Sequence, residues 1–173
     1  MNSTITRRTR HTRISHVDTR GCGFDPTYTL MYQIGSGLGC TVRQLLSLTV
    51  DQVKNRDCLK AYVGPLQIRR SWHVPTEIQE EIRKYTQGRT GTDPLFILQD
   101  GSELTARQVS DVFDSLGLVG DSFLPITMRH YYDITDDIAY PAHMLQTSEP
   151  EALQLMQACE TAKEPSPRRH LSV

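Results

Sequence analysis

Residues 125–135 read PITMRHYYDIT, with Arg129 and His130 side by side ahead of Tyr131 and Tyr132. Whether this stretch grips an anion, attacks one, or is simply the polar face of a helix decides how the rest of the chain is understood. Taken alone it reads as a helix. Arg129 and Asp133 stand four apart, the spacing of an intrahelical ion pair, and the tyrosines would then pack inward. A phenol with a pKa of about 10 needs neighbours to activate it, so Tyr131 and Tyr132 are better core rings than nucleophiles. Asp133, Asp136 and Asp137 would weaken anion binding by like-charge repulsion and are the usual residues of a solvated helix end.

On either side the helical grammar continues. LTARQVSDVFDSLG (104–117) has Thr105 and Gln108 at capping-box spacing, a stripe of Val109, Val112, Phe113 and Leu116, and Gly117 as a stop. SEPEALQLMQACETAK (148–163) predicts a last helix with Leu153 and Met156 on its buried side, joined by Ala152 and Cys159. PTEIQEEIRKYTQG (75–88) is a third, with Thr76 and Gln79 as capping box, a stripe of Ile78, Ile82 and Tyr85, and Gly88 at its end. Ahead of it, CLKAYVG and LQIRRSWHVP alternate in the manner of strands and meet across Gly64-Pro65, which predicts a β-hairpin. DPTYTLMYQIGSG (25–37) predicts a first helix with Asp25 as cap and Pro26 in its first turn. CTVRQLLSL (40–48) predicts a second, capped by Thr41, with Val42, Leu45, Leu46 and Leu48 on one side. PLFIL (94–98) is a brief apolar segment ahead of a turn at QDGS. The fold class expected is α+β, mostly helical, with one small hairpin.

The chain has 173 residues, 38% hydrophobic and 23% charged, which is enough for one domain with its own core. Its net charge of −1 makes no global demand for nucleic acid or an anionic membrane. The charge is unevenly distributed, however. Residues 1–23 hold Arg7, Arg8, Arg10, Arg13 and Arg20 against Asp18, with few large apolar side chains, and predict a flexible basic arm. Residues 24–163 form the expected domain, and residues 164–173, rich in proline and arginine, a flexible tail. Cys22, Cys40, Cys58 and Cys159 are scattered without metal-site spacing, so they read as reduced thiols and imply no metal or cofactor. No apolar run is long enough for a membrane span and no secretory signal is present, which places the expected protein in the cytoplasm.

Two features invite a phosphate reading. GSGLG (35–39) lets backbone N–H groups approach an anion, but it lacks both the lysine of a phosphate loop and the G-x-G-x-x-G spacing of a dinucleotide fold, so a helix-to-helix turn is the expectation. Arg43, Arg69, Arg70 and Arg129 could each hold two phosphate oxygens at once. Arg69 and Arg70 are neighbours on a strand, so one must face each way.

The order of these segments resembles the catalytic domain of the tyrosine recombinases, the phage-integrase family. The resemblance spans about residues 27 to 148. It rests on GLG-CTVRQLLSLTVDQV, the hairpin ending RRSWHVP, the PLFILQDGSELT segment and LPITMRHYY, in that order. It implies a site in which arginines with a histidine or lysine neutralise a DNA phosphate and a tyrosine attacks it. Several of those positions differ here. Thr41 stands where the family has its first arginine, with Arg43 two positions on, about 200° away on a helix. The hairpin lysine's place falls near Gly64-Pro65, with Lys60 close by. Ile126 takes the place of the box's first histidine, while Arg129 and His130 remain. His143 represents the third box, but Ala152 stands where the tyrosine should follow, and no tyrosine comes after Tyr140.

The implied function is therefore DNA binding linked to integration or recombination, without the nucleophile. Arg43, Arg69, Arg70, Arg129 and His130 would contact backbone phosphates, and Arg129 and His143 would be remnants of the catalytic set. Duplex DNA is the expected partner, with an active recombinase or a second copy of the chain beside it. An active strand-transfer enzyme using Tyr131, Tyr132 or Tyr140 is one alternative, and a drifted protein-interaction domain without DNA is the other.

Overall fold

A computed structural model describes residues 25–64, 66–114, 118 and 121–163, with the side chains of residues 159–163 excepted. The expected arm, the tail, Pro65, Leu116, Gly117 and the side chain of Cys159 lie outside the described residues.

Helix α1 (Pro26–Leu38) begins as its sequence predicts: the Asp25 carboxylate accepts from Thr27 N at 2.8 Å and Pro26 fills the first turn. It ends one turn later than GSGLG suggested. Gly35, Ser36 and Gly37 are helical, and the left-handed cap is Gly39, at φ 72°. The reason is packing. A Cβ on Gly35 would lie 2.8 Å from the Phe123 ring, and one on Gly37 would lie 2.2 Å from Trp72. A helical glycine costs about 1 kcal/mol relative to alanine, and here it lets a neighbouring helix and a strand come down onto the backbone.

The predicted second helix is two short ones, α2 (Val42–Leu46) and α3 (Val50–Val53), separated at Ser47. Thr41 and Gln44 form a reciprocal capping box at the start of α2. Val42 and Leu45 are fully buried, while Leu46 and Leu48 are only half-buried. The hairpin is as expected: β1 (Cys58–Val63) pairs antiparallel with β2 (Ile68–His73), Ala61 opposite Arg70 and Tyr62 opposite Arg69. Leu59, Val63 and Arg70 face inward, whereas Lys60, Tyr62, Arg69, Ser71 and His73 face solvent.

Helix α4 (Thr76–Tyr85) departs from its predicted cap. Pro75 is the cap residue, Thr76 is already helical, and Gln79 Nε2 donates to Val74 O at 2.8 Å instead of closing a box. Proline at the position before fixes an extended entry that pulls the helix start one residue earlier. Tyr85 then ties α4 to the PLFIL segment, donating to Ile97 O at 2.7 Å and accepting from Ile97 N at 3.1 Å. The QDGS turn forms at Gly101, φ 81°.

In α5 (Ala106–Phe113) the predicted Thr105–Gln108 capping box is present, with Val109 and Phe113 fully buried. Helices α6 (Leu124–Thr135), α7 (Ala139–Met144) and α8 (Glu149–Lys163) complete the chain. On α8 the inward residues are Ala152 and Met156; Leu153, expected inside, is 46% exposed. Its start has a further box, Ser148 with Glu151, whose carboxylate accepts from Ser148 N and from the Thr147 and Ser148 hydroxyls. Those bonds hold the Glu151 carboxyl down at a pKa of about 2. The S-x-x-E pattern for this start was present in the sequence.

The core is in two parts bridged by the first half of α6. One gathers α1, α4 and α5 around Phe113 and Phe123; the other joins Val63 of β1 to Leu124, Met128, Ala142, Ala152 and Met156. The result is a mixed α+β architecture with one two-stranded antiparallel sheet among the described residues. None of the described helices is long and apolar enough to cross a membrane. Cys40 and Cys58 are free thiols, and burial pushes Cys40 up to a pKa of about 12, where it is inert as a nucleophile.

Candidate anion-binding site

Strand alternation leaves one of two adjacent arginines inside, and it is Arg70. Arg69 is exposed on the outer face of the hairpin, while Arg70 is 5% exposed, wedged between the end of α1 and the second half of α6. Its Nη2 donates to Gly37 O at 2.9 Å and also to the Tyr131 hydroxyl. The guanidinium carbon sits 4.8 Å from the centre of the Tyr131 ring, a cation–π contact. Arg70 Nε is buried without a hydrogen-bond partner. Among the described residues no carboxylate lies within ion-pair distance of this side chain.

Around it the α6 side chains fall into two groups. His130 and Tyr131 lie toward Arg70, their rings 6.1 Å apart, and Tyr140 of α7 stands 5.7 Å beyond Tyr131. Burial lowers the His130 pKa from its ordinary value, with the Arg70 charge acting in the same direction and Asp133 opposing both. Arg129 and Tyr132 form the other group. Arg129 Nε bonds the Asp133 carboxylate at 2.7 Å, and its guanidinium lies 5.8 Å over the Tyr132 ring. The intrahelical pair expected from the sequence is thus present, and it ties Arg129 to an acid on its own helix.

The remaining predicted residues are not drawn together. Arg43 is exposed on α2 and His143 is exposed on α7, and neither has a described side-chain contact with Arg70 or Arg129. Thr41 borders a cleft of about 280 Å³ with Gln44, Tyr62 and Ser122. No charged side chain lines it. Two features were not singled out from the sequence: Tyr131 as the partner of Arg70, and the outward set of Lys60, Arg69 and His73. For the second, the signal was the absence of any Asp or Glu from residue 58 to 73.

The lowered His130 pKa has a thermodynamic consequence. A folded-state pKa below the unfolded value of about 6.5 means that the folded chain binds fewer protons. Its contribution to stability is therefore complete above that pH and is lost as pH falls through it. His130→Gln should flatten this part of the profile. Urea midpoints taken at pH about 7.5 and about 5.5 should differ less in the variant than in the parent protein, and equal differences would remove His130 from the account.

No known family model, curated protein or solved structure matches this chain.

Proposed function

We propose that the protein is a cytoplasmic duplex-DNA-binding protein of the tyrosine recombinase type, associated with integration or recombination and lacking the strand-cleaving tyrosine. The observation that carries this reading is the hairpin of residues 58–73, which contains no Asp or Glu, exposes Lys60 and Arg69 on its outer face and turns Arg70 inward. Exposed Lys60 and Arg69, with Tyr62 55% exposed beside them, give an outer face suited to backbone phosphates. Arg70 behind them adds a charge for which the described residues supply no carboxylate, and His130 is its neighbour. Arg43 is exposed on α2, whose Gln44 Nε2 donates to Tyr62 O of β1 at 2.7 Å, and would reach a further phosphate. Arg129 is paired with Asp133, which weakens its attraction for a phosphate. An active recombinase is the partner that would supply cleavage, and self-association would bring a second copy of the chain to the same duplex.

A fluorescently labelled duplex titrated at about 50 and about 200 mM salt tests the reading. Roughly four phosphate contacts give about a hundredfold loss of affinity over that range. Asp133→Asn removes a negative charge beside Arg129 and should strengthen binding at the lower salt. Absence of binding there would favour a protein-interaction domain. The hydrogen bond between Arg70 and Tyr131 supports a second reading, strand transfer by Tyr131 itself. A supercoiled plasmid that is relaxed through a covalent adduct, lost in Tyr131→Phe, would establish that alternative.

A further inference from the structure

A guanidinium remains charged throughout the pH range in which proteins fold, yet Arg70 is 95% withdrawn from solvent by its 5% exposure. Both of its described acceptors, Gly37 O and the Tyr131 hydroxyl, are neutral oxygens, and Nε has none. Neutral acceptors leave much of the desolvation cost of a buried charge unmet. An oxyanion meets it, because the guanidinium fork takes two oxygens side by side and cancels the charge.

The Tyr131 ring lies over the guanidinium and is itself half-buried, with the exposed Tyr140 ring 5.7 Å beyond it. The Tyr131 hydroxyl also holds the position on Nη2 that a ligand oxygen would take. We infer that Arg70 is a recessed oxyanion subsite, covered by Tyr131, that accepts a free or terminal phosphate group in preference to an internal phosphodiester. An internal diester carries a sugar on each side and cannot descend to a buried guanidinium. A free or terminal phosphate offers three unsubstituted oxygens and a second negative charge. His130 stands beside the subsite, its ring centre 6.1 Å from that of Tyr131.

The inference rests on the reading of the hairpin as a phosphate-binding face, so its probe is inorganic phosphate and not duplex DNA. Thermal unfolding of the full chain is compared in sodium phosphate and sodium chloride at matched ionic strength and pH about 7.5. Phosphate should raise the midpoint of the parent protein. Tyr131→Phe keeps the ring and removes the competing hydroxyl, so it should bind phosphate about fivefold tighter, the worth of one hydrogen bond. Tighter binding of a short duplex bearing a 5′-phosphate than of the same duplex ending in 5′-hydroxyl identifies a nucleic-acid end as the source. Equal binding of the two, with the phosphate shift present, identifies free phosphate. Identical midpoints in phosphate and chloride overturn the subsite, and the parent protein alone decides this if the phenylalanine variant does not fold. Loss of duplex binding with the phosphate shift intact sinks the DNA reading and leaves the subsite standing.

Discussion

Phe123→Ala lowers the stability of the folded protein by about 3–5 kcal/mol. Phe123 has no exposed surface, meets Phe113 edge-on at 5.5 Å and Tyr32 at 6.4 Å, and lies directly on Gly35 of α1. It precedes α6, and its backbone N donates to Cys40 O at 3.0 Å, so the ring fixes where that helix begins relative to α1. Truncation leaves a void beside a glycine, which has no side chain with which to fill it. Set against a typical total of about 5–15 kcal/mol, such a loss populates the unfolded chain. Urea denaturation should show a lower midpoint with an unchanged slope. Gly35→Ala, whose Cβ would meet the Phe123 ring at 2.8 Å, should destabilise the parent protein and be tolerated in the Phe123→Ala background. If the two effects simply add, the contact between them is not what holds α6 in place.

Arg70→Met should behave in the opposite way for a residue just as buried. The substitution keeps the stem that packs under α6 and removes a charge with no described counterion. Replacing buried charges by apolar groups of similar size is often neutral or stabilising by about 1–4 kcal/mol. Gly37 O and the Tyr131 hydroxyl each lose a donor, which offsets part of that gain. The variant should therefore be at least as stable as the parent in phosphate-free buffer, and phosphate should no longer raise its midpoint. Chemical denaturation with and without phosphate measures both. Destabilisation by several kcal/mol with the phosphate response retained would make Arg70 a structural pin between α1 and α6 and nothing more.

The legible parts of this chain are those decided within about four residues. Asp25 as a cap, the Thr105–Gln108 box, the turn at Gly101 and the alternation of the hairpin are all as the sequence predicts, because each depends on neighbours along the chain. The Arg129–Asp133 pair belongs with them, being one helical turn long. Thr76 shows the limit of the method: its capping pattern was present, but Pro75 displaced the helix start by one residue.

From the amino acids alone came α1, α2, α4, α5, α6 and α8, the hairpin and the requirement that Arg69 and Arg70 face opposite ways. Which of the two turns inward was settled by packing, when Gly37 and Tyr131 arrived from 33 and 61 residues away to receive Arg70. The same packing turned the glycines of GSGLG from a presumed bend into the flat face on which Phe123 and Trp72 rest. Burial is a property of the surfaces that meet. A local pattern can supply an arginine at a given position, but only the assembled fold withdraws it from water, here with no carboxylate beside it among the described residues.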